Sequence, residues 1–200
     1  MSSYISEVGK MPEDHELVKE ILAGSQAAME VLTRRYYKPI YAFVYRKIGD
    51  KETAYDLTQE IFIKVIQRIH SYSKKGKFCS WLFSIAVNHC RDYWRSVDYR
   101  ETSKNTELSN DIEHQQKSVP YIFERKETRE EIKSALSSLP EFQKEALILK
   151  YFHDMKIKEI AIVTNTSVPT VKSRLQQGLG KLAKFFKRGE EDESEKIRKR

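Results

Sequence analysis

Apolar residues recur along most of the chain at intervals of three and four, and seldom at the alternating interval that a strand requires. Only 7 glycines and 5 prolines interrupt this pattern in 200 residues. The clearest stripe lies between residues 51 and 69, where apolar side chains follow one another four positions apart. Its members are Leu57, Ile61, Val65 and Ile69, with Phe62 and Ile66 widening the same stripe. The spacing therefore predicts an all-α protein.

Turn and capping residues separate the predicted helices in the first half of the chain. Gly24 ends a first helix, and Ser25 can cap the second with its hydroxyl group. Gly49 and Asp50 separate the second helix from the third in the same way. Pro39 lies inside the second helix, and because proline lacks an amide proton we expect a kink or a break just before it.

A fourth helix, predicted for residues 75–95, has two different apolar sides. At 100° per residue, one side is a core stripe made of Trp81, Leu82, Ile85, Ala86, His89 and Tyr93. Phe83, Val87 and Trp94 lie together on the opposite side, beside Arg91. Rings next to a guanidinium group suit single-stranded or distorted nucleic acid, whose bases stack and whose phosphates pair. A second core contact with the preceding helices is the alternative, and the sequence leaves both open.

A polar segment divides the chain into two helical parts. Residues 100–119 contain two large aliphatic side chains before their last position, too few to offset the entropy of ordering the segment. We therefore expect two small helical domains, at residues 11–99 and 120–188, joined by a flexible linker. A charged tail without helical periodicity follows at residues 189–200.

The second half of the chain carries the pattern of a helix-turn-helix. Ile160 and Val163 face inward on a short helix, and Asn165 tolerates the left-handed conformation that a tight turn needs. Ser167 can cap the next helix, and Pro169 fits its first turn, where no amide proton is needed. Such a turn lets the second helix project into the major groove of DNA.

Positive charge is concentrated on that second helix. The chain carries a formal net charge of +7, and residues 168–188 contain six basic residues and no carboxylate. A solvated lysine face normally mixes both signs, so this helix indicates a phosphate-bearing partner. Base edges would meet the first turns of the helix, and phosphates the later ones. Gly178 and Gly180 each lower helix stability by about 1 kcal/mol, so we expect the helix to fray or bend after Gln177.

The third helix carries a different kind of surface. Asp56, Gln59, Glu60 and Ile63 lie off its apolar stripe and form an acidic, amide-bearing face around one exposed aliphatic side chain. In a chain that is basic elsewhere, such a face is unsuited to DNA. It indicates a protein partner.

The sequence contains no constellation typical of catalysis or cofactor binding. It has no P-loop and no nucleophile elbow, and its five histidines are scattered. Cys79 and Cys90 match no metal-ligand spacing and are predicted to be structural thiols. No apolar run approaches the roughly 18 to 20 residues of a membrane span, and residues 1–16 lack the apolar segment of a signal peptide. We therefore expect a cytoplasmic protein that is not an enzyme, with no cofactor, metal or small-molecule substrate.

Three motifs in a fixed order resemble those of a known family. They are DLTQEIFIKV, then KFCSWLFSIAVNHCRDYWR after a basic loop, and, beyond the polar linker, LPEFQKEALILKYFHDMKIKEIAIVTNTSVPTVKSRLQQGLGKL. Residues 13–187 together resemble a bacterial sigma factor of the extracytoplasmic-function (ECF) group. The resemblance implies a promoter-specificity subunit that binds core RNA polymerase, recognises the −10 and −35 promoter elements and helps to open the DNA. It also implies an inhibitory anti-sigma factor, which could be anchored in the membrane.

The resemblance further implies which residues contact each partner. The clamp helices of the largest polymerase subunit would be bound by Asp56, Gln59, Glu60 and Ile63. The −10 element would be bound by Lys74, Lys75, Lys77, Asn88, Arg91 and Arg95. The −35 element would be bound by Thr170, Lys172, Ser173, Arg174, Gln177 and Lys181. Two elements about two helical turns apart on DNA are separated by about 60 to 70 Å, and the linker could stretch to about 65 to 70 Å. Contact with both elements at once is therefore feasible.

Two other classes of protein share part of this pattern. A repressor or activator with a regulatory N-terminal domain would bind its operator unaided, usually as a symmetric dimer. An RNA-binding helical protein would prefer structured RNA over promoter duplex. Neither class accounts for the acidic face of the third helix.

Overall fold

The computed structural model describes residues 12–73, 76–102 and 129–198, with side chains described up to residue 96 in the second range and over 131–187 in the third. Eight α-helices lie in these ranges: α1 (Asp14–Leu22), α2 (Gln26–Ile48), α3 (Lys51–Arg68), α4 (Phe78–Thr102), α5 (Arg129–Ser137), α6 (Glu141–Tyr151), α7 (Ile157–Thr164) and α8 (Val168–Arg198). A short 3₁₀ helix, Ile69–Ser71, follows α3. These ranges contain no strand, and the predicted all-α class is confirmed. None of their helices is both long enough and apolar enough to cross a membrane.

The predicted turn and capping residues separate the first three helices. Gly24 and Gly49 both adopt the left-handed conformation, with φ angles of 95° and 91°. The Ser25 hydroxyl accepts a hydrogen bond from a backbone N–H in the first turn of α2 at 3.2 Å. The Asp50 carboxylate does the same for α3 at 2.8 Å. These contacts satisfy amide groups that the first turn of a helix leaves without partners.

The break predicted at Pro39 does not occur, because α2 is one helix from Gln26 to Ile48. Packing on both sides of the proline holds the helix together. Leu32 before it and Ile40 and Phe43 after it are all buried in the core. Burial of these side chains offsets the loss of one backbone hydrogen bond.

The first helical region, α1 to α4, buries one face of each of its longer helices. The stripe predicted for α3 is buried except for Ile66, which is 49% exposed, so the assignment of that residue to the core was wrong. Ile66 lies about 40° further round the helix than Phe62, past the edge of the contact with α2 and α4. The core stripe predicted for α4 is confirmed, since its members are either buried or packed against the buried cluster.

The second helical region, α5 to α8, packs around its own apolar side chains. The contribution of α8 consists of Val171, Leu175, Leu179 and Leu182, all buried. Because α8 continues without interruption through Arg198, the fraying predicted after Gln177 is wrong. Gly178 explains the difference, since a Cβ atom there would lie 2.8 Å from Leu147 Cδ1 of α6. The missing side chain permits close helix packing, which compensates for the low helix propensity of glycine.

The boundaries predicted between segments are tested only in part. Residues 103–119 of the predicted linker lie outside the described residues, and residues 100–102 belong to α4. The backbone of α8 extends beyond residue 188 into the segment predicted to be a tail without helical periodicity. That segment is therefore helical up to residue 198.

The two helical regions are in direct contact, because α4 packs along α7 and α2 packs along α6. Phe83 and Val87 of α4 are buried at this boundary. The Phe83 ring centroid lies 5.6 Å from that of Phe43 in α2 and 4.8 Å from that of His153, which follows α6. Of the two alternatives for this side of α4, a second core contact is therefore confirmed for Phe83 and Val87. Its partners include the second helical region as well as the preceding helices.

Candidate polymerase and nucleic-acid surfaces

The residues of the predicted acidic face lie together on the exposed side of α3. Asp56, Gln59, Glu60 and Ile63 are all exposed, and Ile63 has 53% of its surface in solvent. Tyr55 and Ile66 are also exposed and extend the same surface. Sequence reasoning missed both, because Ile66 was assigned to the core and an exposed tyrosine carries no periodic signal. These six residues, named here the α3 face, combine apolar area with carboxylates, which suits a protein partner.

Glu60 of the α3 face lies next to His89 of α4. Its Oε2 atom lies 2.9 Å from Nε2 of His89, and Nδ1 of His89 lies 2.7 Å from Nζ of Lys64. Burial and the charge of Lys64 lower the pKa of His89, while Glu60 opposes them. The lowered pKa favours the neutral form of the imidazole. It connects the exposed carboxylate of Glu60 to the core of the first helical region.

The residues predicted to bind the −10 element lie in different environments. Lys74 and Lys75 lie outside the described residues. Asn88 is exposed on α4. Arg95 is also exposed and pairs with Asp92, one turn away on the same helix, at 3.2 Å. Asn88 and Arg95 are therefore accessible to a partner of α4.

The other two residues predicted to bind the −10 element contact the second helical region. Nζ of Lys77, just before α4, lies 2.7 Å from Oε1 of Glu159 in α7. Arg91 donates from Nη2 and Nε to the two carboxylate oxygens of Glu145 in α6, at 2.5 and 3.2 Å. Its Nη1 donates to the backbone carbonyl of Thr164 at 3.1 Å. In this arrangement the guanidinium donors of Arg91 form hydrogen bonds within the same chain.

Glu145 belongs to a buried group of charges that the sequence pattern did not indicate. Glu145 and Lys47 are both 0% exposed, and Nζ of Lys47 donates to Oε2 of Glu145 at 2.7 Å. Lys47 also pairs with Glu141. Burial alone would lower the pKa of Lys47, but the carboxylates of Glu145 and Glu141 outweigh it and raise that pKa. Lys47, Arg91, Glu141 and Glu145, named here the charged cluster, therefore join α2, α4 and α6.

The turn between α7 and α8 has the predicted local geometry. Asn165 adopts the left-handed conformation, with φ of 50° and ψ of 52°. The Ser167 hydroxyl caps α8 by accepting a hydrogen bond from the Thr170 N–H at 3.2 Å. Ile160 and Val163 are buried on the inner side of α7. This tight turn leaves the first turns of α8 on the surface.

The residues predicted to bind the −35 element divide into two groups on α8. Lys172, Ser173 and Lys181 are exposed, and Thr170 is half-buried. Arg174 and Gln177 are also half-buried and contact α6. The Arg174 guanidinium stacks 4.7 Å from the ring centroid of Phe142, and the Gln177 side-chain oxygen accepts a hydrogen bond from Gln143 at 2.9 Å. Helix α6 therefore orients two of the six side chains.

Both cysteines pack against the core as thiols. Burial raises the pKa of Cys90 to about 12 and that of Cys79 to about 11. Neither thiolate forms at neutral pH, which agrees with a structural role. Within residues 12–73, 76–102 and 129–198, no group of three or more His, Cys, Asp and Glu side chains is placed to hold a metal ion.

Two family models match the chain in the order of its two helical regions. Sigma-70 region 2 matches residues 32–99, and Sigma-70, region 4 matches residues 129–182. The ECF RNA polymerase sigma factor SigM of Bacillus subtilis is 30% identical over 167 residues, which cover 82% of this chain and 99% of SigM. The chain belongs to the ECF sigma factors. It is a promoter-recognition subunit of RNA polymerase, its partners are the core enzyme and promoter DNA, and it carries out no catalysis of its own.

Other sigma factors are similar over most of this chain. The RNA polymerase sigma-H factor of Pseudomonas aeruginosa is 28% identical over 172 residues, covering 82% of this chain and 88% of that protein. The solved structure of the sigma factor RpoE with the anti-sigma factor NepR from Bartonella quintana has a TM-score of 0.63 at 20% identity, and covers 79% of this chain and 96% of that chain. CnrH in complex with the cytosolic domain of CnrY has a TM-score of 0.63 at 21% identity, covering 87% and 97%. At these identities the two structures establish the fold alone.

Proposed function

We propose that this sigma factor uses three surfaces for three contacts. The α3 face docks on the clamp helices of the largest polymerase subunit. Helix α4 and the loop before it bind the −10 element and help to open it, and the first turns of α8 read the −35 element. The observation that carries this assignment is the contrast in surface chemistry. The α3 face is acidic and apolar, whereas the exposed residues Lys172 and Lys181 lie on a helix whose first 21 residues contain no carboxylate.

The division of the chain follows from the same assignment. Residues 11–99 form the domain for the polymerase and the −10 element, and residues 120–188 form the domain for the −35 element. Residues 103–119, which follow the end of α4, act as the linker. Their reach of at most about 56 to 61 Å, together with the dimensions of the two domains, allows contact with elements about 60 to 70 Å apart. Residues 189–200 are a charged tail. The protein works in the cytoplasm together with the polymerase and needs no cofactor.

An anti-sigma factor, which could be anchored in the membrane, holds this sigma factor inactive. Support comes from the structurally similar RpoE, which was solved with the anti-sigma factor NepR. The exposed apolar side chains of the α3 face, such as Tyr55 and Ile63, offer a surface that an inhibitor could cover in competition with the polymerase.

Transcription in vitro with purified core polymerase on a library of genomic fragments tests the proposal. Transcripts from fragments that share one pair of upstream elements are the expected result. The same library is incubated with the chain alone as a control. Tight, sequence-specific binding without core enzyme would favour a repressor or activator, and preferential capture of structured RNA added as a competitor would favour an RNA-binding protein. Either result, without specific transcripts, would overturn the proposal.

A further inference from the structure

The two helical regions are held together by the buried charged cluster. Glu145 of α6 accepts hydrogen bonds from Lys47 of α2 at 2.7 Å and from Arg91 of α4 at 2.5 and 3.2 Å. The side chains of Lys47 and Glu145 have no exposed surface, and that of Arg91 is 15% exposed. Lys47 pairs with Glu141 as well. Charges in such a position are stable only while their partners stay in place.

Further contacts cross the same boundary between α1–α4 and α5–α8. The His153 ring packs against the rings of both Phe43 and Phe83, with centroid distances of 6.0 and 4.8 Å. At the edge of the boundary, Lys77 pairs with Glu159 at 2.7 Å. The boundary therefore combines buried aromatic contacts with the buried charged cluster, and has an exposed ion pair at its edge.

In this closed arrangement, the two proposed DNA surfaces are too close together to bind both promoter elements. Arg91 contacts the carbonyl of Thr164, which is six residues before Thr170, and six residues span at most about 22 Å. The elements are about 60 to 70 Å apart on DNA. This step rests on the proposed function, since it requires Arg91 and Thr170 to contact different elements. The two helical regions must therefore separate before the protein can occupy a promoter.

We propose that Glu145 is an autoinhibitory latch, whose carboxylate occupies the site on Arg91 that a promoter phosphate takes and keeps the two helical regions closed until core polymerase is bound. A carboxylate and a phosphate both present two oxygens to the fork of a guanidinium group. Nε and Nη2 of Arg91, the two donors of that fork, are the atoms that contact Glu145. DNA and Glu145 therefore compete for the same donors.

Removing the charge of Glu145 should open the chain. Glu145→Gln preserves the shape of the side chain but removes its charge. The charged cluster then contains the two cations Lys47 and Arg91 and only one carboxylate, that of Glu141. The ratio of closed to open molecules should fall at least about tenfold. Lys47→Met removes one cation of the same cluster and should shift the ratio in the same direction. Glu30→Gln is the matched control, because Glu30 pairs with Arg34 on the exposed surface of α2, where ion pairs contribute little.

The opening is measured on the full-length chain by single-molecule energy transfer. Dyes are placed at exposed positions 20 and 158, one in each helical region, through unnatural amino acids so that both cysteines remain in place. In parallel, the affinity of each free chain for a labelled promoter duplex is measured. The wild-type and Glu30→Gln chains should be mainly in the high-transfer state. Glu145→Gln and Lys47→Met should move to low transfer, and Glu145→Gln should bind the duplex about tenfold more tightly.

Three results would contradict the latch or the proposed function. If both cluster variants keep the helical content of the wild type and remain in the high-transfer state, the charged cluster does not hold the regions together and the latch is refuted. If they open but bind the duplex no better, Glu145 does not compete with DNA and that part of the proposal fails. Loss of specific transcription by the wild-type chain with core polymerase would instead overturn the proposed function, whatever the transfer measurements show.

Discussion

Gly178 of α8 lies against Leu147 of α6, so close that a Cβ atom at position 178 would come within 2.8 Å of Leu147 Cδ1. Leu147 is 1% exposed, and side chains in a close-packed core are surrounded by other atoms. The glycine therefore sets the distance between the helix that carries the proposed −35 contacts and the helix that orients Arg174 and Gln177. Gly178 lowers the helix propensity of α8, but it allows α8 and α6 to pack closely.

Gly178→Ala should destabilise the protein although it improves helix propensity. The propensity gain is about 1 kcal/mol, whereas overpacking a core costs about 1 to 3 kcal/mol. We expect a net loss of about 1 kcal/mol in the free energy of unfolding, measured by urea titration. A double-mutant cycle with Leu147→Ala provides the control, because the alanine at 178 should cost less once the opposing side chain is shortened. Additive effects, or a stabilised single variant, would show that the close approach is not a constraint.

Ile63→Glu should weaken binding to core polymerase without unfolding the protein. Ile63 is 53% exposed at the centre of the α3 face, so the substitution removes apolar contact area and brings a charge into the proposed interface. If Ile63 is one of the few residues that dominate the interface, its loss costs about 2 kcal/mol or more, which corresponds to a loss of affinity of at least about tenfold. Fluorescence anisotropy with labelled chain and purified core enzyme measures the effect.

Leu22→Glu is the matched control for Ile63→Glu. Leu22 is also an exposed aliphatic residue, at 42%, but lies at the end of α1 and outside the α3 face. The control variant should bind core polymerase like the wild type. Equal losses for the two variants would mean that charge or partial unfolding, rather than the α3 face, explains the result.

The turns between the first three helices and the turn before α8 could be predicted from the sequence, because local chemistry decides them. Gly24, Ser25, Asp50 and Asn165 act through their own backbone conformation or through an amide group three residues away. No distant part of the chain is needed to produce these ends. The exposed side of α3 was likewise predictable, since one periodic stripe left the remaining positions for solvent.

The contacts between the two helical regions could not be predicted in the same way. Periodicity shows that Phe83 lies on an apolar side of α4, but not which surface covers it. Lys47 and Glu145 are 98 positions apart, and charged residues are expected on the surface unless a partner is known. Gly178 was interpreted as a helix breaker, because its real role depends on the position of Leu147. All three features depend on packing between elements that are distant in sequence.

His153 should make the folded protein less stable in mild acid. Burial and the nearby charge of Arg46 lower the pKa of His153 to about 4, while Asp154 opposes them. An unfolded chain has a histidine pKa near 6.5, so the unfolded state binds the proton first. The stabilisation of the folded state by neutral His153 is therefore complete above about pH 6.5, and it is lost as the pH falls toward 4. For this one proton, the slope of the free energy of unfolding against pH is at most about 1.4 kcal/mol per pH unit.

Urea unfolding between pH 5 and pH 7 measures this dependence. His153→Asn should reduce the slope, although not abolish it, because the pKa of His89 is lowered as well. His70→Asn is the control, because it makes the same substitution at an exposed position after α3. An unchanged slope in His153→Asn would contradict the neutral state of the half-buried His153 beside the two phenylalanine rings.

Arg174→Ala should weaken recognition of the −35 element and leave polymerase binding intact. Arg174 stacks on Phe142 at 4.7 Å, so its removal also costs a cation–π contact of about 0.5 to 1 kcal/mol. A bidentate contact to a base contributes about 1 to 3 kcal/mol of discrimination. The affinity for the matched promoter should therefore fall about tenfold. The affinity for a promoter with a scrambled −35 element should fall much less.

Two further variants separate base recognition from packing at this position. Arg174→Lys keeps the positive charge but loses the guanidinium fork, so it should retain affinity for DNA in general and lose discrimination between the two promoters. Phe142→Leu removes the ring and keeps the arginine, so it should preserve discrimination at a small cost in stability. Affinities are measured with the complete holoenzyme, and binding to core enzyme is measured separately. Arg174 would be a packing residue if Phe142→Leu reproduced the promoter defect of Arg174→Ala, or if Arg174→Ala lost core binding to the same extent.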